Sequence, residues 1–237
     1  MSDKKATNVG KKITSKNNFF YLTSALILLL LSSSLSQVVR SGWVDMLSQW
    51  VTLLTFVVCL ASLRFDSGWY RFLISLVVAW VILAVAKSAF GFTQTNVLML
   101  GLMFVFFFGT FKSIARQILF TGSIDNNKVV GSLALFLLLG LMWALSYLLI
   151  LEFSPAAFTG LEKKEWGETF ANAAYFSFVT LTTLGYGDIS PITPFAQVIV
   201  YLEAIAGVFY MAIVVASLVG ASQTGPSNQT NQEKHDG

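Results

Sequence analysis

The stretch Thr182-Thr183-Leu184-Gly185-Tyr186-Gly187-Asp188 is where residue types and spacing in this chain point to chemistry. Two glycines flank one aromatic residue, so positions 185 and 187 can adopt positive φ at little steric cost. Alternating the hand of the backbone there turns successive carbonyls toward one axis and leaves Leu184 and Tyr186 to pack behind the loop. A ring of such carbonyls, built from four copies of the loop, replaces the water shell of a dehydrated cation. The plainer reading makes Gly-Tyr-Gly-Asp a turn between two helices.

What must position such a loop is a membrane fold. Of 237 residues, 55% are hydrophobic and 11% charged, where a soluble domain carries about 25% charged residues. Spanning a bilayer takes roughly 20 apolar residues, and stretches 19–39, 44–63, 69–90, 95–111, 130–151 and 195–220 approach or meet that length. Phe170 to Leu181 is too short to cross and reads as a re-entrant half-helix, tolerated where it is buried in protein or faces water. The expectation is an all-α membrane protein of six transmembrane helices plus a re-entrant pore helix and filter loop. Residues 1–18 are expected to be a disordered cytoplasmic segment and 19–111 a four-helix membrane domain of unstated role. A cytoplasmic linker over 112–128, a pore domain over 129–220 and a disordered cytoplasmic tail over 221–237 complete the division.

Two local alternatives stay open. Residues 1–36 also fit a signal peptide, with a basic start, apolar Leu22 to Leu31 and then Ser32-Ser33-Ser34; its removal leaves the later spans unchanged. Within 112–128, Ile114, Ile118 and Leu119 lie opposite Lys112 and Arg116 at helical spacing, which suits a short helix at the inner surface or an ordinary polar loop.

Charge placement orients the chain. With the amino terminus inside, Lys4, Lys5, Lys11, Lys12, Lys16, Arg64, Arg71, Lys112, Arg116, Lys128 and Lys234 are cytoplasmic. Only Arg40, Lys87, Lys163 and Lys164 fall outside, so positive residues are inside as the rule requires. Both termini are then cytoplasmic, and the Asp188 end of the loop faces out. The net charge of +3 is no nucleic-acid signal, because the basic residues sit in these loops. Cys59 falls mid-span as a buried thiol, and His235 in a polar tail offers neither a metal site nor a base. No nucleophile–base pair, metal cluster or phosphate loop is present, so neither an enzyme nor a cofactor is expected.

The Thr182–Asp188 stretch resembles the potassium-channel signature T-V-G-Y-G-D, with Leu184 in place of Val. Residues 129–220 resemble the pore module of that superfamily, most closely in small bacterial ion channels. The resemblance implies a homotetramer in a bilayer, here a bacterial inner (plasma) membrane. It also implies K⁺ as the permeant ion on carbonyls of Thr183, Leu184, Gly185 and Tyr186 and the Thr183 hydroxyl, with Gly187 completing the filter. Filter support falls to Thr182, Asp188, Tyr175 and Phe176. Tyr175 stands where the family often has a Trp bonded to the filter Asp, and Val179 stands where some members have Glu. Tyr175, Phe176 and Phe178 would form an aromatic collar, or pack as plain core. The half-helix would aim its carbonyl end, roughly half a negative charge, at a central cavity.

Gating candidates on the last span are Gly207, Glu203, Val214, Val215 and Leu218. Gly207 lies at the depth of the family's hinge glycine, or is a small residue for close helix packing. Glu203 is ionisable within the membrane and needs a partner or water; a hydrogen bond to the half-helix and protonation in place both answer that need. Val214, Val215 and Leu218 can narrow the inner mouth. Residues 95–111 carry no Arg or Lys, so strong voltage gating is not expected, and a short tail leaves regulation to lipid, tension, pH or a separate subunit. The expected function is passive, selective K⁺ conduction. The alternatives are a weakly selective cation pore, given Leu184, or a secondary transporter using Glu203, although only one re-entrant element is present.

Overall fold

The computed structural model describes residues 18–38, 42–62, 67–90, 95–119, 126–164 and 166–223. Their order is α1 (Asn18–Val38), α2 (Gly42–Ser62), α3 (Ser67–Phe90), α4 (Thr95–Leu119), α5 (Asn126–Phe153), β1 (Phe158–Thr159), α6 (Trp166–Leu181), β2 (Ser190–Pro191) and α7 (Pro194–Gln223). Expectations for residues 1–17 and 224–237, for Arg40, Arg64 and Glu165, and for the side chains of Lys87, Val215 and Leu218 lie outside the described residues.

Each helix ends where its sequence allows. Pro194 opens α7, where its missing N–H costs no hydrogen bond, and Thr193 caps it by accepting from the Ala196 N–H at 3.4 Å. At the start of α6, the Thr169 hydroxyl reaches back to accept from the Lys164 N–H at 2.9 Å, and Glu168 sits in the first turn, where the helix dipole favours an anion.

Among the described residues four helical segments are long and apolar enough to cross a membrane: Asn18–Leu35, Thr95–Ile118, Asn127–Phe153 and Pro194–Val214. Trp50–Ala61 of α2 and Arg71–Ala86 of α3 are shorter apolar stretches. The protein is therefore a mostly helical membrane protein. One expected boundary moves: α4 does not stop at residue 111 but runs through Lys112 and Arg116 to Leu119, with Ile114 fully buried. The helix expected at the inner surface is thus the last part of α4, because the basic residues leave the other face apolar enough to keep packing. A second difference from the all-α expectation is the antiparallel pairing of β1 with β2, in register Phe158↔Pro191 and Thr159↔Ser190. Two-residue strands are too short to show a period in sequence.

Helix α1 packs against α2, α5 and α6, and α4 packs against α3 and α5. At the end near Gly131, a Cβ on that glycine would stand 2.8 Å from the Ile118 side chain and 2.9 Å from the Phe19 ring, so α1, α4 and α5 meet there around missing bulk. Thr23 Oγ1 donates to the Val130 carbonyl at 3.2 Å, and Asn127 Nδ2 donates to Asn18 Oδ1 at 3.1 Å. The core runs from Leu22, Leu26, Phe56, Phe106 and Phe107 into Leu138, Leu141, Leu145 and Tyr147 of α5. Cys59 is buried and free, as its mid-span position implied.

Candidate functional site

Helix α6 buries Phe170, Ala173, Ala174, Ser177 and Leu181, a stripe at three- and four-residue spacing that faces its neighbours. The two alanines make that stripe narrow enough for α6 to lie close against α5. Phe178 lies against α5 at Gly140, where any Cβ would run into its ring. Small residues on α5 and α6 thus allow the two helices to approach closely.

Its carboxyl end shapes the loop. Leu184 N–H donates to the Val179 carbonyl at 2.9 Å, and Thr183 N–H donates to the Thr180 carbonyl at 2.9 Å. These are the two bonds of a Schellman motif, which needs a left-handed residue just past the helix. Thr183 is that residue, with φ +60°. Gly185 N–H adds a 3.3 Å bond to the same Val179 carbonyl.

Positive φ recurs at Gly185 (+57°) and Gly187 (+82°). Left-handed residues thus stand at 183, 185 and 187, alternating with Leu184 and Tyr186. The glycines were readable from the sequence. Thr183 was not, because a β-branched residue there is a genuine outlier, and the only signal was its place just after a helix ending at Leu181. Residues Thr182 to Asp188 are all exposed on the protomer.

Beyond the loop, the chain is held from two sides. Tyr175 Oη donates to Asp188 Oδ2 at 2.8 Å, the pair the resemblance implied. The β1–β2 pairing adds Ile192 N–H to the Ala157 carbonyl at 2.8 Å. Gly160 (φ +78°) lies so near the Asp188 carbonyl that a side chain there would strike it. Lys163 pairs with Glu152 at 2.6 Å and Lys164 with Glu168 at 2.7 Å, so both lysines of this segment are engaged by acids. Glu162 is exposed.

Within one protomer the aromatic residues of α6 point in different directions. Phe176 is buried and turns toward α5 and β1, with ring centroids 5.0 Å from Tyr147 and 5.8 Å from Phe158. Phe178 goes to Gly140 and Phe136. Tyr175 bonds Asp188 of the loop; successive helix positions are about 100° apart, so the three side chains point three ways.

On α7, Glu203 is fully buried and bonds Tyr147 of α5 and Ser177 of α6. A hydrogen bond to the half-helix was one of the two roles open to it. Gly207 is buried with its α-carbon so close to the Leu181 carbonyl that a Cβ would overlap it, as a small residue for close helix packing would stand. Val214 is half-buried, and Val208, Phe209, Met211 and Ile213 are exposed.

Residues 134–223 match the family model described as ion channel. The chain is 37% identical over 93 residues to the inward rectifier potassium channel Kirbac3.1 of Paramagnetospirillum magnetotacticum, covering 39% of this chain and 28% of that protein. It is 32% identical over 100 residues to the human potassium voltage-gated channel subfamily KQT member 3, covering 42% of this chain and 11% of the relative. Two-pore potassium channel 5 of Arabidopsis thaliana is 29% identical over 108 residues, 46% of this chain and 21% of the relative. The chain thus spans less than a third of the length of each of these relatives. No solved structure matches it.

Proposed function

We propose that residues 134–223, which match the ion-channel family model and resemble potassium channels, form a potassium-channel pore module and that the protein conducts K⁺ passively through a tetrameric filter. In this reading α6 is re-entrant, and six helices cross the membrane, with α2 and α3 among them. Both termini are cytoplasmic, and the membrane is a bacterial inner membrane. K⁺ is coordinated by the carbonyls of Thr183, Leu184, Gly185 and Tyr186 and the Thr183 hydroxyl, four copies around one axis.

The observation that carries the reading is the alternation of left-handed residues at 183, 185 and 187 on an exposed loop at the end of a half-length helix. Alternation of hand aligns successive carbonyls to one side, which is what a cation stripped of water requires. Ending the helix takes only one left-handed residue, here Thr183; the two further ones at Gly185 and Gly187 extend the alternation along the loop. Opening is not steeply voltage-dependent in this reading, because the basic residues of α4, Lys112 and Arg116, stand only toward its end.

A weakly selective cation pore is the second reading, favoured by Leu184, which is bulkier than the Val of the signature. Reversal potentials of reconstituted protein in mixed K⁺ and Na⁺ separate the two. A value near the K⁺ equilibrium potential supports the first, one near zero supports the second, and no current at all in any K⁺ gradient rejects both.

A further inference from the structure

Glu203, Tyr147, Ser177 and the Gly140 carbonyl form one hydrogen-bonded cluster joining α5, α6 and α7. Ser177 Oγ lies 2.7 Å from the Gly140 carbonyl oxygen and also bonds Glu203 Oε1. Tyr147 Oη bonds Glu203 Oε2. All three side chains are fully buried, so solvent neither supplies nor removes a proton here.

The protons can be counted. A carbonyl only accepts, and serine and tyrosine hydroxyls each own one proton. Ser177 therefore donates to Gly140, and Tyr147 donates to Glu203 Oε2. The contact between Ser177 Oγ and Glu203 Oε1 is left to be filled, and an ionised carboxylate is an acceptor with nothing to give. If Ser177 instead turned its proton to Glu203, two bare oxygens would face each other 2.7 Å apart at Gly140. Three contacts need three protons, and only a protonated Glu203 makes up the number.

We infer that Glu203 is held as a neutral carboxylic acid, donating from Oε1 to Ser177 and accepting from Tyr147 at Oε2, and that this brace positions the filter-bearing helix. The surroundings agree. Among the described residues no Lys or Arg pairs with Glu203, whereas Lys163 pairs with Glu152 and Lys164 with Glu168. From α5 the facing titratable group is Tyr147, and from α6 the facing polar group is Ser177. A charge buried without a counter-ion at this depth is costly, whereas a neutral acid with both oxygens bonded is satisfied. Ser177 stands two residues before Val179, whose carbonyl holds Leu184 and Gly185, so the brace seats the turn from which the loop springs. The consequence for conduction rests on the proposed channel reading; the proton count does not.

Infrared difference spectroscopy of the purified protein tests this, with Glu203→Gln subtracted from wild type at neutral pH. A protonated-carboxyl C=O band that belongs to Glu203 and persists as the bulk pH is raised is expected. Glutamine keeps an acceptor for Tyr147 and a donor for Ser177, so Glu203→Gln should assemble and hold K⁺ flux and the K⁺/Na⁺ reversal potential near wild type. Glu203→Ala, which removes both hydrogen bonds, should lose selectivity or assembly, since each net bond is worth about 1 kcal/mol and an orphaned buried partner costs more. Absence of the band, or a Glu203→Gln protein that fails to assemble or loses selectivity, overturns the inference. If wild type carries the band but no K⁺ current, the channel reading fails and the neutral acid stands.

Discussion

Tyr175 donates its phenolic proton to Asp188 Oδ2 at 2.8 Å, joining the exposed side of α6 to the end of the Thr182–Asp188 loop. That hydrogen bond to Asp188 holds the phenol above the ordinary tyrosine range. A group raised in this way contributes fully below its ordinary value and loses the contribution only as pH rises through the raised one. The tie is therefore whole at neutral pH. Tyr175→Phe should leave thermal stability nearly unchanged but make K⁺ flux into liposomes decay faster. Superimposable flux time courses for the two proteins would remove Tyr175 from filter support.

Thr183 is a threonine in a conformation that costs an L-residue roughly 1–2 kcal/mol. Thr183→Gly should relieve that strain, so the melting temperature should hold or rise even though a side chain is lost. The hydroxyl goes with it, and K⁺ over Na⁺ discrimination should fall. A mutant that melts well below wild type would show that the threonine side chain, not the backbone, stabilises this turn.

Gly207→Ala places a methyl group on the Leu181 carbonyl. Helices α6 and α7 must then separate, at a cost of about 1–3 kcal/mol typical of overpacking, and Gly207→Val should be worse. Thermal melting and the fraction of assembled oligomer in detergent measure it. If both variants melt like wild type while gating changes, Gly207 works as a hinge and not as a contact.

At the outer end, Gly160→Ala would push against the Asp188 carbonyl and from a left-handed backbone as well. The β1–β2 pairing should open, and hydrogen exchange at the Ile192 amide, which donates to Ala157, should accelerate by an order of magnitude or so if about 1.4 kcal/mol is lost. Unchanged protection would mean that the two segments are not mechanically tied.

The Thr182–Asp188 loop is legible in the sequence because glycine spacing reports directly on backbone hand. The short length of α6 and the extent of α7 were legible from apolar run lengths, and the Tyr175 tie from resemblance. Other features were not. Thr183's conformation comes from the end of the helix before it, which residue type alone opposes. The contacts of Phe176 with Tyr147 and Phe158 follow from its helix phase, which residue type alone does not report. The reach of α4 to Leu119 was hidden by Lys112 and Arg116, which end an apolar run without ending a helix. Lone positions such as Gly140 and Gly160 carry no pattern, since what they accommodate lies elsewhere in the chain.

The Val179 carbonyl holds Leu184 and Gly185 within the same polypeptide. The curvature of the Thr182–Asp188 loop is therefore inherited from the helix that precedes it and needs no neighbour to impose it. In a ring of such protomers, assembly becomes the docking of finished parts, and errors at the axis originate at the far end of a helix turn instead of among the carbonyls themselves.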